Sequence, residues 1–109
     1  MMFHLALPED WAEAQASGRY AMSTRGVTLA EQGFIHASKN DEQVRRVRSL
    51  VFSDVEDVLL LHIDEQRLAD AGLVVRMEPG DPSDPNSELY PHLYGGPLPV
   101  SAVVAVTAG

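Results

Sequence analysis

Proline and glycine cut this chain into segments too short for anything but a small fold of mixed helices and strands. Pro8 ends a strand read over residues 2–7 and supplies the fixed φ suited to the first turn of a helix, where Glu9 and Asp10 complement the dipole. Gly18 closes that helix, whose apolar side carries Trp11 and Ala14 with Ala12. Gly72 closes a second, brief helix that Asp64 caps and that runs to Ala71. Pro79, Pro82 and Pro85, set among Asp, Ser, Asn and Gly, deny residues 79–88 a continuous hydrogen-bond ladder and mark them as a mobile loop.

Between these breaks, periodicity decides. Asn40 with Gln43 three residues on resembles a capping box, and Val44, Val47, Leu50 and Val51 form the apolar stripe of a helix over residues 41–52. Residues 57–63 are short and rich in branched apolar side chains, which predicts a buried, central strand, and residues 73–78 continue as another. Residues 34–37 are strand-like, and residues 102–107 form a last strand of small and β-branched side chains. Tyr20 is read as core or cleft lining. Residues 21–32 carry a weak pattern with one turn of helix near 29–32 and are expected to cross the surface. Helices and strands alternate without internal repeat, so the class is α+β. At 109 residues the expectation is one domain spanning 1–109, because two cores of half this size would each be marginal.

Charge and composition narrow the function. Sixteen acidic against eight basic residues give a formal charge of -8, which disfavours general nucleic-acid binding. The one dense basic cluster, Arg45, Arg46 and Arg48, reads as the solvated face of a helix. Without cysteine there is no disulfide framework, thiolate metal site or cysteine nucleophile. No apolar run approaches a membrane span and no leader pattern opens the chain, so a cytoplasmic protein without membrane contact is expected.

The chemistry-bearing residues are histidines. His62 lies in a predicted core strand and reads as half-buried with satisfied nitrogens. His36 follows the anchoring Phe34 and Ile35, with Ser38 two positions on and on the same face, a pair able to hold a ribose or phosphate, orient a water or cap the next helix. A tight turn accounts for Gly95, Gly96, Pro97 and Pro99 but gives no reason for a histidine, His92, flanked by Tyr90 and Tyr94. No i, i+4 histidine pair, G-x-S-x-G elbow, G-x-x-x-x-G-K loop or G-x-G-x-x-G turn is present, and no metal is expected.

The strings FHL at residues 3–5, GFIHAS at 33–38 and YPHLYGGPLP at 90–99 together resemble DUF952, a family of domains of unknown function, over nearly the whole chain. The resemblance implies an ADP-ribosyltransferase-like fold: split, mostly antiparallel sheets with two to three short helices around a cleft for NAD. It implies His36, His92 and Glu78 as catalytic residues, and His4, Ser38, Arg76 and Tyr94 as residues that bind NAD or a related nucleotide. Glu78 would stabilise the oxocarbenium-like charge as the nicotinamide bond breaks and ADP-ribose is transferred. The chain departs from the family pattern at Tyr90, Met77, the paired Gly95 and Gly96 and the proline loop. Two other readings stand beside the transferase: a non-catalytic module that grips a small anionic or nucleotide-like ligand, and a metal-assisted hydrolase.

Overall fold

The computed structural model describes residues 1–109. In chain order the elements are β1 (Met2–Ala6), α1 (Pro8–Ser17), β2 (Arg19–Tyr20), β3 (Met22–Thr24), β4 (Val27–Thr28), α2 (Leu29–Gln32) and β5 (Ile35–His36). There follow α3 (Asp41–Val51), β6 (Leu59–Ile63), α4 (Glu65–Asp70), β7 (Val74–Pro79), β8 (Leu89–Tyr94), β9 (Leu98–Pro99), a 3₁₀ turn (Val100–Ala102) and β10 (Val103–Ala108).

Two three-stranded antiparallel sheets organise the chain, ordered β1-β6-β10 and β5-β8-β7. β6 lies in the middle of the first, as its run of branched apolar residues predicts, and buries Leu61 and Ile63 completely. The sheets are stitched where β5 ends. Phe3 and Ser38 exchange two backbone hydrogen bonds of 2.8 Å, so the chain leaves β8 and joins β1 within two residues. This switch explains a proline in a middle strand. Pro91 of β8 turns its carbonyl to the Ala37 N–H at 2.9 Å, and β5 is already peeling away there, so no donor is needed from residue 91. The small pairs β2–β9 and β3–β4 complete the sheets.

The main core lies between the sheets around Trp11, Tyr20, Ile35, Leu61, Leu93 and Leu98, and a second apolar cluster, Leu5, Val44, Phe52 and Val58, sits under α3. Local chemistry sets the helix ends. Gly18, at φ 85, closes α1 with its N–H on the Ala14 carbonyl, and Asp64 accepts from the N–H groups of Gln66 and Arg67 to start α4. At α3 the Asn40 side chain accepts from Gln43 N–H, while the Gln43 side chain reaches back to Lys39 N–H rather than to that of Asn40.

Two expectations change. There are four α-helices rather than the two to three that the resemblance implies, and the turn of helix expected near 29–32 is one of them, α2, where Thr28 and Glu31 cap each other. Residues 89–94 are a middle strand, not the approach to a turn. Residues 80–88 are a loop, as the prolines predict, and its polar groups bond its own backbone: Asp81 N–H to Ser87 Oγ at 3.1 Å, Ser83 N–H to Asp81 Oδ1 at 3.0 Å, and Asn86 N–H to Asp84 Oδ1 at 3.0 Å. The stretch expected to cross the surface, residues 21–32, does so, with Ser23 alone fully buried. No helix is long and apolar enough to cross a membrane. Arg46 pairs with Glu88, and Arg48 donates to the carbonyls of Phe52 and Val55, so two of the three clustered arginines are committed to protein groups.

Candidate functional site

Side-chain alternation along β8 sends Pro91 and Leu93 to the core and Tyr90, His92 and Tyr94 to the opposite face. Register then decides their company. Arg76 and His36 flank His92 on either side, and Glu78 pairs with Tyr90. Seven side chains with chemistry or aromatic rings, Phe34 included, therefore share one face of the β5-β8-β7 sheet.

A cleft of about 400 Å³ opens between this face and α3. His4, His36, Ser38 and Tyr90 line its floor, Val47, Leu50 and Val51 of α3 form an apolar wall, and Asp81 and Glu88 stand at the rim beside Arg46. The rim is tied to α3. Buried Gln43 donates to Glu88 Oε2 and to the Leu89 carbonyl, each at 2.8 Å, and Arg46 donates to Glu88 Oε1 at 2.9 Å.

The floor residues differ in what they have left to offer. His4 Nδ1 meets the His36 carbonyl at 2.5 Å, so Nδ1 must carry the proton, and Nε2 accepts from the Tyr20 hydroxyl at 2.9 Å. Burial lowers its pKa from 6.5 to about 4, and burial likewise raises that of Tyr20, so both are neutral at physiological pH. With both nitrogens committed, His4 fastens β1 to β5 and presents only carbon to the cleft. His36 is the reverse. Its ring makes no hydrogen bond within the protein, and burial, followed by the neighbouring His92, lowers its pKa to about 4. The Ser38 hydroxyl is also without a protein partner, and Asn40, not Ser38, caps the next helix.

Behind His36 lies a compact ring cluster. Phe34 stacks on His92 with centroids 4.1 Å apart and planes at 19°, while His36 is 4.9 Å from each of them and steeply inclined to both. Those three distances put His36 beside the stack rather than on it. His92 Nδ1 donates to Glu78 Oε1 at 2.9 Å, and the Tyr94 hydroxyl donates to the same oxygen at 2.5 Å. The Tyr94 bond, then that of His92, lowers the Glu78 pKa, and the Glu78 carboxylate in turn raises that of Tyr94. The Arg76 guanidinium lies 4.9 Å over the Tyr94 ring. His92 Nε2 is buried with no partner at all.

Of the residues singled out from sequence, His4, His36 and Ser38 thus line the cleft, whereas His92, Glu78, Arg76 and Tyr94 form the adjoining cluster, joined to it by the contact of the two histidine rings. His62 is elsewhere, its Nε2 on Thr107 Oγ1 at 2.8 Å and its ring edge-on to Phe3. No group of three or more histidine, aspartate or glutamate side chains is disposed to hold a metal ion. Three contributors lack an assignment from sequence: Tyr90 on the floor, Gln43 as the tie to the rim, and Phe34 as the ring that touches His36, His92 and Tyr94. The first had a signal, since Tyr90, His92 and Tyr94 recur with the period of a strand.

The sequence pattern of a family described as "Protein of unknown function (DUF952)" matches residues 5–106. The crystal structure of protein CC0527 from Caulobacter crescentus superposes with a TM-score of 0.74 at 24% identity, over 98% of this chain and 83% of that one. A double mutant of CC0527 gives the same TM-score at 23% identity. These likenesses concern the fold. No curated protein matches the chain.

Proposed function

We propose, for a chain that belongs to the DUF952 family, that the cleft binds a small nucleoside-like ligand, with NAD the leading candidate. One observation carries the reading: in a largely apolar cleft, His36 and Ser38 are adjacent polar side chains that no protein group satisfies. A neutral imidazole donates one hydrogen bond and accepts one, and a hydroxyl does the same, which matches the paired hydroxyls of a ribose. The wall of Val47, Leu50 and Val51 opposite them suits a planar ring. Arg46 is already paired with Glu88, and Asp81 adds negative charge to the rim, so recognition falls on ring and sugar more than on phosphate.

Transfer of ADP-ribose, in an ADP-ribosyltransferase-like fold, is the catalytic form of this proposal. It assigns Glu78 to the charge that develops at the sugar as the glycosidic bond breaks. In favour of it, Glu78 is cross-strand to Tyr90 of the cleft floor, and its Oε2 makes no hydrogen bond within the protein. Binding without turnover is favoured by a different observation: Glu78 Oε1 is held by two donors and the residue does not line the cleft.

Calorimetric titration with NAD and with adenosine, with nicotinamide release followed in parallel, tests both. His36→Ala and Ser38→Ala are each expected to weaken binding about tenfold, the effect of one hydrogen bond of about 1.4 kcal/mol. Nicotinamide release abolished by Glu78→Gln supports transfer, and binding without release supports the module. If neither NAD nor adenosine binds, the proposal is wrong.

A further inference from the structure

Each charge that faces the cleft can be followed to its partner. Arg46 is the one cation of the lining, and it is already paired: Nη1 meets Glu88 Oε1 at 2.9 Å and Nη2 meets Glu42 Oε1 at 3.7 Å. Glu88 is engaged at both oxygens, since Oε2 accepts from Gln43. Asp81 is different. Its Oδ1 accepts from the Ser83 N–H at 3.0 Å and from the Ser83 hydroxyl at 2.6 Å, neutral donors that hold its pKa below the usual carboxylate range. None of the protein's ion pairs includes it. His4 and His36, each lowered to about 4, are neutral at physiological pH. The lining therefore sets two carboxylates, Asp81 and Glu88, against one guanidinium, in a chain whose formal charge is -8. Size adds a second limit. About 400 Å³ lies toward the lower end of the range for small-molecule sites, about 300–1,000 Å³, which suits one sugar and one ring rather than a dinucleotide.

We infer that the cleft selects a nucleoside without phosphate and binds most tightly one whose ring carries a positive charge. The inference rests on the cleft being a nucleoside site and adds the charge of its ligand. In so small a space a phosphate lies within the field of Asp81 and Glu88, and no free cation answers it. A cationic ring is drawn by the same carboxylates and by the aromatic ring of Tyr90 on the floor. Of NAD, the part that fits is the positively charged nicotinamide riboside end, with the diphosphate left in solvent.

Calorimetric titration of the full chain with adenosine, 1-methyladenosine and adenosine 5′-monophosphate, at neutral pH and low ionic strength, tests this. The three share one skeleton, but the second is cationic on its ring and the third is anionic. 1-Methyladenosine is expected to bind about three- to tenfold more tightly than adenosine, and the monophosphate about tenfold more weakly. Salt at about 0.5 M is expected to shrink both gaps to about twofold. Asp81→Asn, whose amide oxygen still accepts from Ser83, is expected to remove most of the first gap. Glu88→Gln leaves Arg46 without its nearest counter-charge and is expected to bring the monophosphate to about the affinity of adenosine. If that variant does not fold, because it also alters the tie to Gln43, Asp81→Asn decides. Three results overturn the inference: a monophosphate that binds the wild type as well as adenosine does, a methylated probe with no advantage, or gaps unchanged by salt and by Asp81→Asn. Each of these leaves the cleft standing as a nucleoside site, whereas no binding by any of the three probes removes the site and the inference with it.

Discussion

His4 joins the two sheets beneath the cleft, and it does so only while neutral. Its Nδ1–H donates to the His36 carbonyl and its Nε2 accepts from Tyr20, so protonation would turn that acceptor into a second donor facing a hydroxyl in a fully buried place. Burial is the main cause of its pKa falling from 6.5 to about 4. Because the folded value lies below the unfolded one, the unfolded chain binds the extra proton between those two pH values. The contribution of His4 is therefore complete above pH 6.5 and is lost as pH falls through about 4. A shift of about 2.5 units corresponds to about 3 kcal/mol of stability. His4→Gln keeps an amide donor for the carbonyl and removes the titration. Urea unfolding of both proteins at pH 7.5 and at pH 4 gives the comparison, in which His36 and the carboxylates, common to both, cancel. The wild type is expected to lose about 3 kcal/mol more than the variant over that interval. Equal losses, or a smaller loss in the wild type, would refute the assignment of His4 as a buried neutral tie.

Two further outcomes concern the walls of the cleft. Gln43→Leu removes a side chain only 1% exposed that serves Lys39 N–H, the Leu89 carbonyl and Glu88. It is expected to cost about 2–4 kcal/mol in urea unfolding, the range for breaking a buried hydrogen-bond network. Gly80→Ala places a Cβ 2.8 Å from Cδ1 of Tyr90, at a backbone conformation that any residue adopts. The Tyr90 ring must give way, so calorimetry is expected to show weaker NAD binding by about tenfold, with stability changed by no more than about 1 kcal/mol.

What is legible in the sequence is what is decided locally. The caps of α1, α3 and α4 are each a side chain or a glycine acting within four residues, and β6 announces itself by its run of leucines. Thr28 and Glu31 form an equally local box, and the turn of helix expected near 29–32 is α2. β8 is hidden because Pro91 argues against a middle strand, and the reason it is tolerated lies far off in the chain, where β5 changes sheets at Ala37. The site divides in the same way. That Ser38 shares a face with His36, and Arg76 with Glu78, follows from strand alternation. That His4 is consumed by Tyr20 and a backbone carbonyl, and that His92 keeps one nitrogen empty under Phe34, depends on contacts between segments distant in the chain.

The central claim is that the space between α3 and the β5-β8-β7 sheet is a ligand site built on His36 and Ser38. Titration of ¹⁵N-labelled protein with NAD, read by amide and histidine side-chain shifts, addresses it most directly. Saturable changes are expected at His36, Ser38, Tyr90 and the Val47–Val51 wall, with none at His62, whose ring nitrogen is already on Thr107. Shifts that fail to saturate, or that centre on β6 and β10 while His36 and Ser38 stay still, would contradict the account.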